Sequence, residues 1–394
     1  MAEPEPGRIA ERMARSLDEL REQSQLRSLE ILDGINLSSN DYLGLASDPR
    51  LKQAVMEAVE RAERVGSTGS RLLSGNAREW ENLESEFADF AGTEVALYFG
   101  SGYAANVGLL GAILKPHDVV FTDELNHASI IDGIRISGAR RVVYSHADLS
   151  DLERALRDHQ SSSGAKLIVT ESVFSMEGDI APLDGLLRLA KNYGAELIVD
   201  EAHATGILGP QGRGVAAELG RQREALAVVH TCGKALASAG AFVCCGGTLK
   251  TFLVNRARTF IFSTAMPPYL AGQIHAALGL AIEADDRRAH LRKIASALRE
   301  KLSAAGLSCG SSSTQIVPVI LGSNEAALRV AAELQANGFA VKAIRPPTVP
   351  AGTARVRLSL TSSITMENIH RLAAVMDAAC KSLPQTPSAS PVHA

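Results

Sequence analysis

Apolar residues follow two rhythms along this chain. From about residue 90 to about 250, short unbroken apolar runs alternate with stretches of helical period. The runs lie at 95–99, 119–122, 142–144, 167–170, 197–199, 227–229 and 241–244. A strand buried on both faces has no polar side to show, so it reads as a continuous apolar run instead of an alternation. Seven such runs separated by helices predict an α/β domain with a mostly parallel seven-stranded sheet covered on both sides. Ligands of such sheets lie beyond the carboxyl ends of the strands. The residues just past each run are therefore the ones to examine.

Either side of this region the rhythm differs. Ile9, Met13, Leu17 and Leu20 share one face of a first helix, predicted to lie as an arm on the main body or on a partner subunit. After about residue 275 a long alanine-rich helix is followed by a strand at 315–320. A helix then stops at Asn337-Gly338, two strands follow at 340–344 and 355–360, and a last helix starts near Met366. This predicts a smaller C-terminal α+β domain. The expected boundaries are an arm and connecting segment over 1–50, a large domain over 51–275, a small domain over 276–383, and a Pro- and Ser-rich disordered tail over 384–394.

Composition narrows the function classes. The formal charge of -4 leaves no domain-wide basic surface for nucleic acid. Cys232, Cys244, Cys245, Cys309 and Cys380 show no metal-ligand spacing, so no metal is expected; an odd count fits reduced thiols. The acidic, proline-bearing start is unlike a signal peptide, and no run is long and apolar enough to span a bilayer. A cytoplasmic protein is the expectation.

Candidate chemistry sits at the strand ends. Gly100-Ser-Gly-Tyr-Ala-Ala105 follows a run and opens a helix, where backbone N–H groups and small residues suit an anion. The same letters meet the loose dinucleotide fingerprint, with Asp123 downstream as its acid, so a nicotinamide oxidoreductase is a rival and a plain turn a third possibility. Asp200-Glu-Ala-His203 spells a helicase box, but the phosphate loop that a helicase requires is absent. Asp200 alone could simply cap a helix. Lys234, in His230-Thr-Cys-Gly-Lys-Ala-Leu236, lies between apolar runs, where a lysine is either paired or functional. A lysine, an aspartate and a histidine at successive strand ends meet the needs of pyridoxal phosphate (PLP). The amine binds the aldehyde, and the carboxylate keeps the pyridine nitrogen protonated. His127 could stack on a planar ring, and Ser175 and Thr231 could bond cofactor oxygens; each also suits an ordinary loop. Arg345 opens the proline-stiffened loop 345–353, which would hold its guanidinium for a carboxylate, or merely join two strands.

Taken together, these motifs resemble the α-oxoamine synthases, fold-type I PLP-dependent transferases that join an amino acid to an acyl thioester with loss of CO2. The resemblance runs from about residue 8 to 383. It rests on Ser38-Ser-Asn-Asp-Tyr-Leu-Gly-Leu45, Gly66-Ser-Thr-Gly-Ser-Arg-Leu-Leu-Ser-Gly75, Asp200-Glu-Ala-His203, Gly233-Lys234 and Phe262-Ser-Thr-Ala-Met-Pro-Pro268. It implies that Lys234 holds the cofactor covalently, Asp200 pairs with the ring nitrogen, His203 bonds the phenolic oxygen and His127 stacks on the ring. Ser175 would lie beside the cofactor. Gly102, Tyr103 and Thr231 would cradle the phosphate, joined by Ser263 and Thr264 of the other subunit. Arg345 would hold the amino-acid carboxylate, and Asn40, Thr348 and Arg27 (or Arg21) would touch substrate. Ala204 and Cys232 depart from the common pattern. The loop 345–355 looks most like the biotin-pathway member, implying L-alanine and a pimeloyl thioester, on coenzyme A or a carrier protein, as substrates. Glycine-using relatives are the alternative. The resemblance also implies a homodimer with shared sites.

Overall fold

A computed structural model describes residues 7–383. The disorder expected from Pro384 concerns residues outside that range. The chain divides into two compact units. One comprises residues 40–292 with 361–363; the other joins the residues up to 39 to 293–360 and those from 364.

The larger unit holds the seven strands, all at the expected apolar runs. They are β1 (Val95–Phe99), β2 (Val119–Asp123), β3 (Arg140–Tyr144), β4 (Lys166–Glu171), β5 (Glu196–Asp200), β6 (Ala227–Thr231) and β7 (Ala241–Cys245). Their order across the sheet is β1-β7-β6-β5-β4-β2-β3. Only β7 runs against its neighbours, β1 and β6. The register sets Glu171 beside Asp200, and Asp200 beside Val229.

Burial on both faces explains the apolar runs. Leu97, Val120, Val169, Ile198, Val229 and Val243 form one face's core with the helices Gly102–Ile113 and Ala128–Ser137. These two helices approach closely because Gly133 has no side chain; a Cβ there would meet the Asn106 carbonyl and Leu110 at 3.0 Å. On the other face, Trp80 stacks on Tyr98 at 4.2 Å and Phe87 on Phe242 at 4.0 Å, both from the helix Arg78–Ala91.

The smaller unit holds a three-stranded antiparallel sheet in which Ala354–Ser359 lies between Ala343–Ile344 and Ile316–Gly322. The helix Asn324–Ala336 buries Ala327, Val330, Ala331 and Leu334. A reciprocal cap between Thr365 and Asn368 starts the helix Met366–Lys381.

Three expectations differ from this arrangement. The single strand expected at 340–344 is two short ones: Phe339–Ala340 pairs in parallel with Ile35–Asn36, and Ala343–Ile344 joins the antiparallel sheet. The alanine-rich helix is two, Pro268–Ile282 and Asp285–Ala304, and the division between units falls within the second. The segment before residue 40 groups with the C-terminal part because Ile35 and Asn36 pair with Phe339 and Ala340. The first helix, Arg8–Glu22, buries none of its residues, and Ile9 is 66 % exposed. Among the described residues no helix is long and apolar enough to cross a membrane.

Candidate active site

Asp200 is the last residue of β5, and His203 lies in the turn that follows. The buried Glu201 between them fixes that turn. It accepts from the Ser172 hydroxyl at 2.6 Å and from the backbone N–H groups of Val215 at 3.1 Å and Ala216 at 2.8 Å. Burial raises its pKa against these bonds. Lys234 sits in the connection from β6 to β7. Bonds from Cys232 N–H to the Gly240 carbonyl and from Ser238 N–H to the Cys232 carbonyl, both 2.9 Å, close that turn. Gly240, at φ 88, has no room for a side chain, since a Cβ would lie 2.1 Å from the Tyr98 hydroxyl.

These two turns bring their polar ends together. The Lys234 Nζ lies 2.8 Å from His203 Nε2, and His203 Nδ1 lies 2.6 Å from the Tyr42 hydroxyl. Tyr42 donates to Asn40 Oδ1 at 3.0 Å. With the amine donating to Nε2, the remaining ring proton sits on Nδ1 and points at Tyr42, so every bond in this line runs in one direction.

A second line starts at Asp200, whose Oδ1 accepts from Ala202 N–H at 2.9 Å and Oδ2 from Asn106 Nδ2 at 2.7 Å. The same amide nitrogen donates to Ser129 Oγ at 2.9 Å, and Ser129 Oγ lies 2.8 Å from His127 Nδ1. Burial lowers the His127 pKa, with the Asp200 charge opposing and the Lys234 charge reinforcing that shift. Beside Asp200 in register, Glu171 is fully buried and its Oε1 has no partner among the described residues. Burial and the Asp200 charge raise its pKa well above the usual carboxylate range, which favours the neutral acid.

The start of the helix Gly102–Ile113 offers an anion cradle. Ser101 caps the helix by accepting from Ala104 N–H, leaving the Gly102 and Tyr103 N–H groups without a bond among the described residues. A Cβ on Gly102 would lie 3.7 Å from Thr231 Oγ1, and that hydroxyl accepts from Gly233 N–H at 3.4 Å. Two unbonded N–H groups and a hydroxyl suit a phosphate. With the lysine and the carboxylate at neighbouring strand ends, this donor set fits PLP. The Tyr103 side chain is turned elsewhere, bonding Asp132 on the next helix, so it is not part of this donor set. Ser263 and Thr264 line a cavity of about 240 Å³ with Gly100 and Ser101 of the same chain. Cys232 is fully buried, and burial pushes its thiol pKa up.

Ser175 belongs to the loop after β4, which a charged histidine holds in place. His146 Nδ1 lies 3.0 Å from Asp123 and Nε2 2.8 Å from Asp179, with the ring edge-on to Phe174 at 4.4 Å. Burial opposes the imidazolium, but the two carboxylates outweigh it and raise its pKa to about 10. Asp123 also accepts from the Leu125 and Ala147 N–H groups. It is thus fully engaged, and the dinucleotide reading of Gly100–Ala105 loses its acid.

The predicted substrate contacts Arg27, Arg345 and Thr348 lie together in the smaller unit. Arg27 Nη2 donates to Thr348 Oγ1 at 3.0 Å, and Arg345 donates to the carbonyls of Ser24 and Leu26. Arg345 Nε is buried and bonds nothing in the described residues. Burial lowers the Arg345 pKa, helped by the Arg27 charge. Arg21 instead pairs with Asp18 on the first helix.

The chain belongs to the aminotransferase class I and II family, whose model matches residues 33–376. Its relatives narrow the family to the 8-amino-7-oxononanoate synthases. It is 45 % identical to the enzyme of that name from Geobacter sulfurreducens, over 92 % of this chain and 96 % of that one. It is 47 % identical to the one from Azoarcus sp. over 86 % of both. Among solved structures, a serine palmitoyltransferase from Sphingomonas wittichii aligns with TM-score 0.85 at 30 % identity, covering 95 % of this chain and 96 % of that one. The 8-amino-7-oxononanoate synthase of Francisella tularensis aligns with TM-score 0.77 at 31 % identity, covering 88 % and 98 %.

Asn106, Ser129, Tyr42, Glu171 and Glu201 were not singled out by the sequence. Tyr42 and Glu201 carried a signal, standing inside the motifs 38–45 and 200–203.

Proposed function

We infer that this protein condenses L-alanine with a pimeloyl thioester, releasing CO2 and thiol to give 8-amino-7-oxononanoate, the biotin-pathway reaction of its relatives. The carrying observation is the contact of Lys234 with His203 in the turns that follow β6 and β5, with Asp200 as the last residue of β5. PLP, when bound, supplies an aldehyde that attaches the amino acid and a ring that accepts the electron pair left at Cα.

The chain's own residues do the rest. Lys234 would hold the cofactor, then take the Cα proton on its amine once alanine has displaced it. His203, gripped by Tyr42, orients that amine. Asp200, fixed from both oxygens, would keep a proton on the ring nitrogen. His127 offers an uncharged ring face, and Ser175 a hydroxyl. The Gly102 and Tyr103 N–H groups with Thr231 would hold the phosphate, joined by Ser263 and Thr264 of the other subunit. Arg345 would bind the alanine carboxylate, and Arg27, Thr348 and Asn40 would also contact substrate. A cytoplasmic homodimer, using coenzyme A or a carrier protein as the acyl donor, completes the proposal.

The test is thiol release by PLP-loaded protein, comparing L-alanine plus pimeloyl-CoA with glycine plus acetyl-CoA. Release with the first pair alone is expected. Preference for the second would keep the chemistry and move the protein to a glycine-using member of the family.

A further inference from the structure

We propose that Asn106 and Ser129 are positioning residues that fix the ring-face histidine and the ring-nitrogen carboxylate through one shared amide. The proposal rests on the PLP reading above and goes beyond it by coupling two groups otherwise treated as independent.

The argument is a count of protons. An amide nitrogen carries two hydrogens. Asn106 Nδ2 gives one to Asp200 Oδ2 at 2.7 Å and one to Ser129 Oγ at 2.9 Å. Having accepted there, the Ser129 hydroxyl has its single hydrogen left for His127 Nδ1, 2.8 Å away. The Ser129 backbone N–H points at the same nitrogen from 3.2 Å. Two donors on Nδ1 leave no place for a proton there, so His127 is neutral and carries its hydrogen on Nε2. An imidazolium would set N–H against N–H. The two inner members are sealed from water, Asn106 at 2 % and Ser129 at 0 % exposed, while His127 at the end of the line is exposed.

Helix packing sets its dimensions. Asn106 and Leu110 lie one turn apart on one helix, and Ser129 and Gly133 one turn apart on the other. Gly133 lets the helices meet at Leu110 and the Asn106 carbonyl, which brings Ser129 within reach of the amide. Rotating Asn106 would break both arms at once. The orientation of the carboxylate and the tautomer of the histidine are therefore one choice.

The test is a double-mutant cycle on the holoenzyme, read by the rate of PLP release and by visible circular dichroism of the bound cofactor. Asn106→Ala is expected to speed release about tenfold or more, the loss of a hydrogen bond to a charged group. Ser129→Ala, which keeps the backbone N–H, is expected to speed it about threefold and alter the dichroism. In a His127→Phe background the Ser129→Ala effect should shrink, because the arm through the ring is gone and only the arm through Asn106 remains. The small Ser129→Ala change keeps the test decisive even if Asn106→Ala fails to fold. An undiminished Ser129→Ala effect in that background, or no effect in the wild type, overturns the relay alone. A wild-type chain that takes up no PLP overturns the cofactor reading and the relay with it.

Discussion

The two clusters of candidate residues are built differently. At the strand ends of the larger unit, side chains hold side chains: Lys234 meets His203, His203 meets Tyr42, and Asp200 meets Asn106, all largely or wholly buried. In the smaller unit, Arg345 rests on the backbone carbonyls of Ser24 and Leu26, and Arg27 on one hydroxyl. Buried networks have one satisfied arrangement, and removing a member leaves others unpaired. A guanidinium on carbonyls can exchange them for a carboxylate with little rearrangement. The first design suits chemistry that must be the same at each turnover, and the second suits a ligand that comes and goes.

If this contrast holds, damage to the first cluster should fall on kcat and damage to the second on KM. Asp200→Asn is the severest test, expected to lower kcat by about a hundredfold or more, since a charge-bearing bond to the ring is lost. Steady-state turnover near wild type would remove Asp200 from its role. Arg345→Lys keeps the charge but loses the fork, so KM for alanine should rise about tenfold while kcat stays within about threefold. A fall confined to kcat would mean that the smaller unit's cluster is held as rigidly as the other. Arg27→Ala should raise KM several-fold, roughly the worth of one hydrogen bond, and Arg21→Ala should leave it within about twofold. Equal effects would undo the preference for Arg27.

The smallest expected effect concerns stability. His146 has a folded pKa of about 10, above its ordinary value of about 6.5. Its charge therefore stabilises the fold fully below about pH 6.5, and that contribution is lost as pH rises through about 10. His146→Gln should lower Tm by about 2–4 °C at pH 6 and by less at pH 10.5, measured by calorimetry. A larger loss at high pH would contradict the charged clamp.

Much of the sheet could be read directly because buried parallel strands are apolar throughout. Lys234 and Asp200 stood out because charge beside such runs demands a reason. Asn106 and Ser129 did not, since a polar residue inside a helix looks the same whether it faces water or a carboxylate. The strand expected at 340–344 failed for a related reason. An extended apolar stretch does not say which partner each half will take, and Ile35, some three hundred residues earlier, claims the first half. The same distant pairing hid the grouping of residues 7–39 with the C-terminal part.

The placement of β7 has a consequence during synthesis. Among the described residues β1 has a single neighbour in the sheet, β7, whose residues 241–245 follow it by about 140 positions. Until they emerge from the ribosome, the apolar strand Val95–Phe99 has no partner and presents an open edge, the kind that recruits other chains. Fragments ending between residues 100 and 240 should therefore aggregate or be held by chaperones. Release should come only once the hairpin that bears Lys234 has been made, so completion of the nascent sheet and arrival of the Lys234 amine coincide.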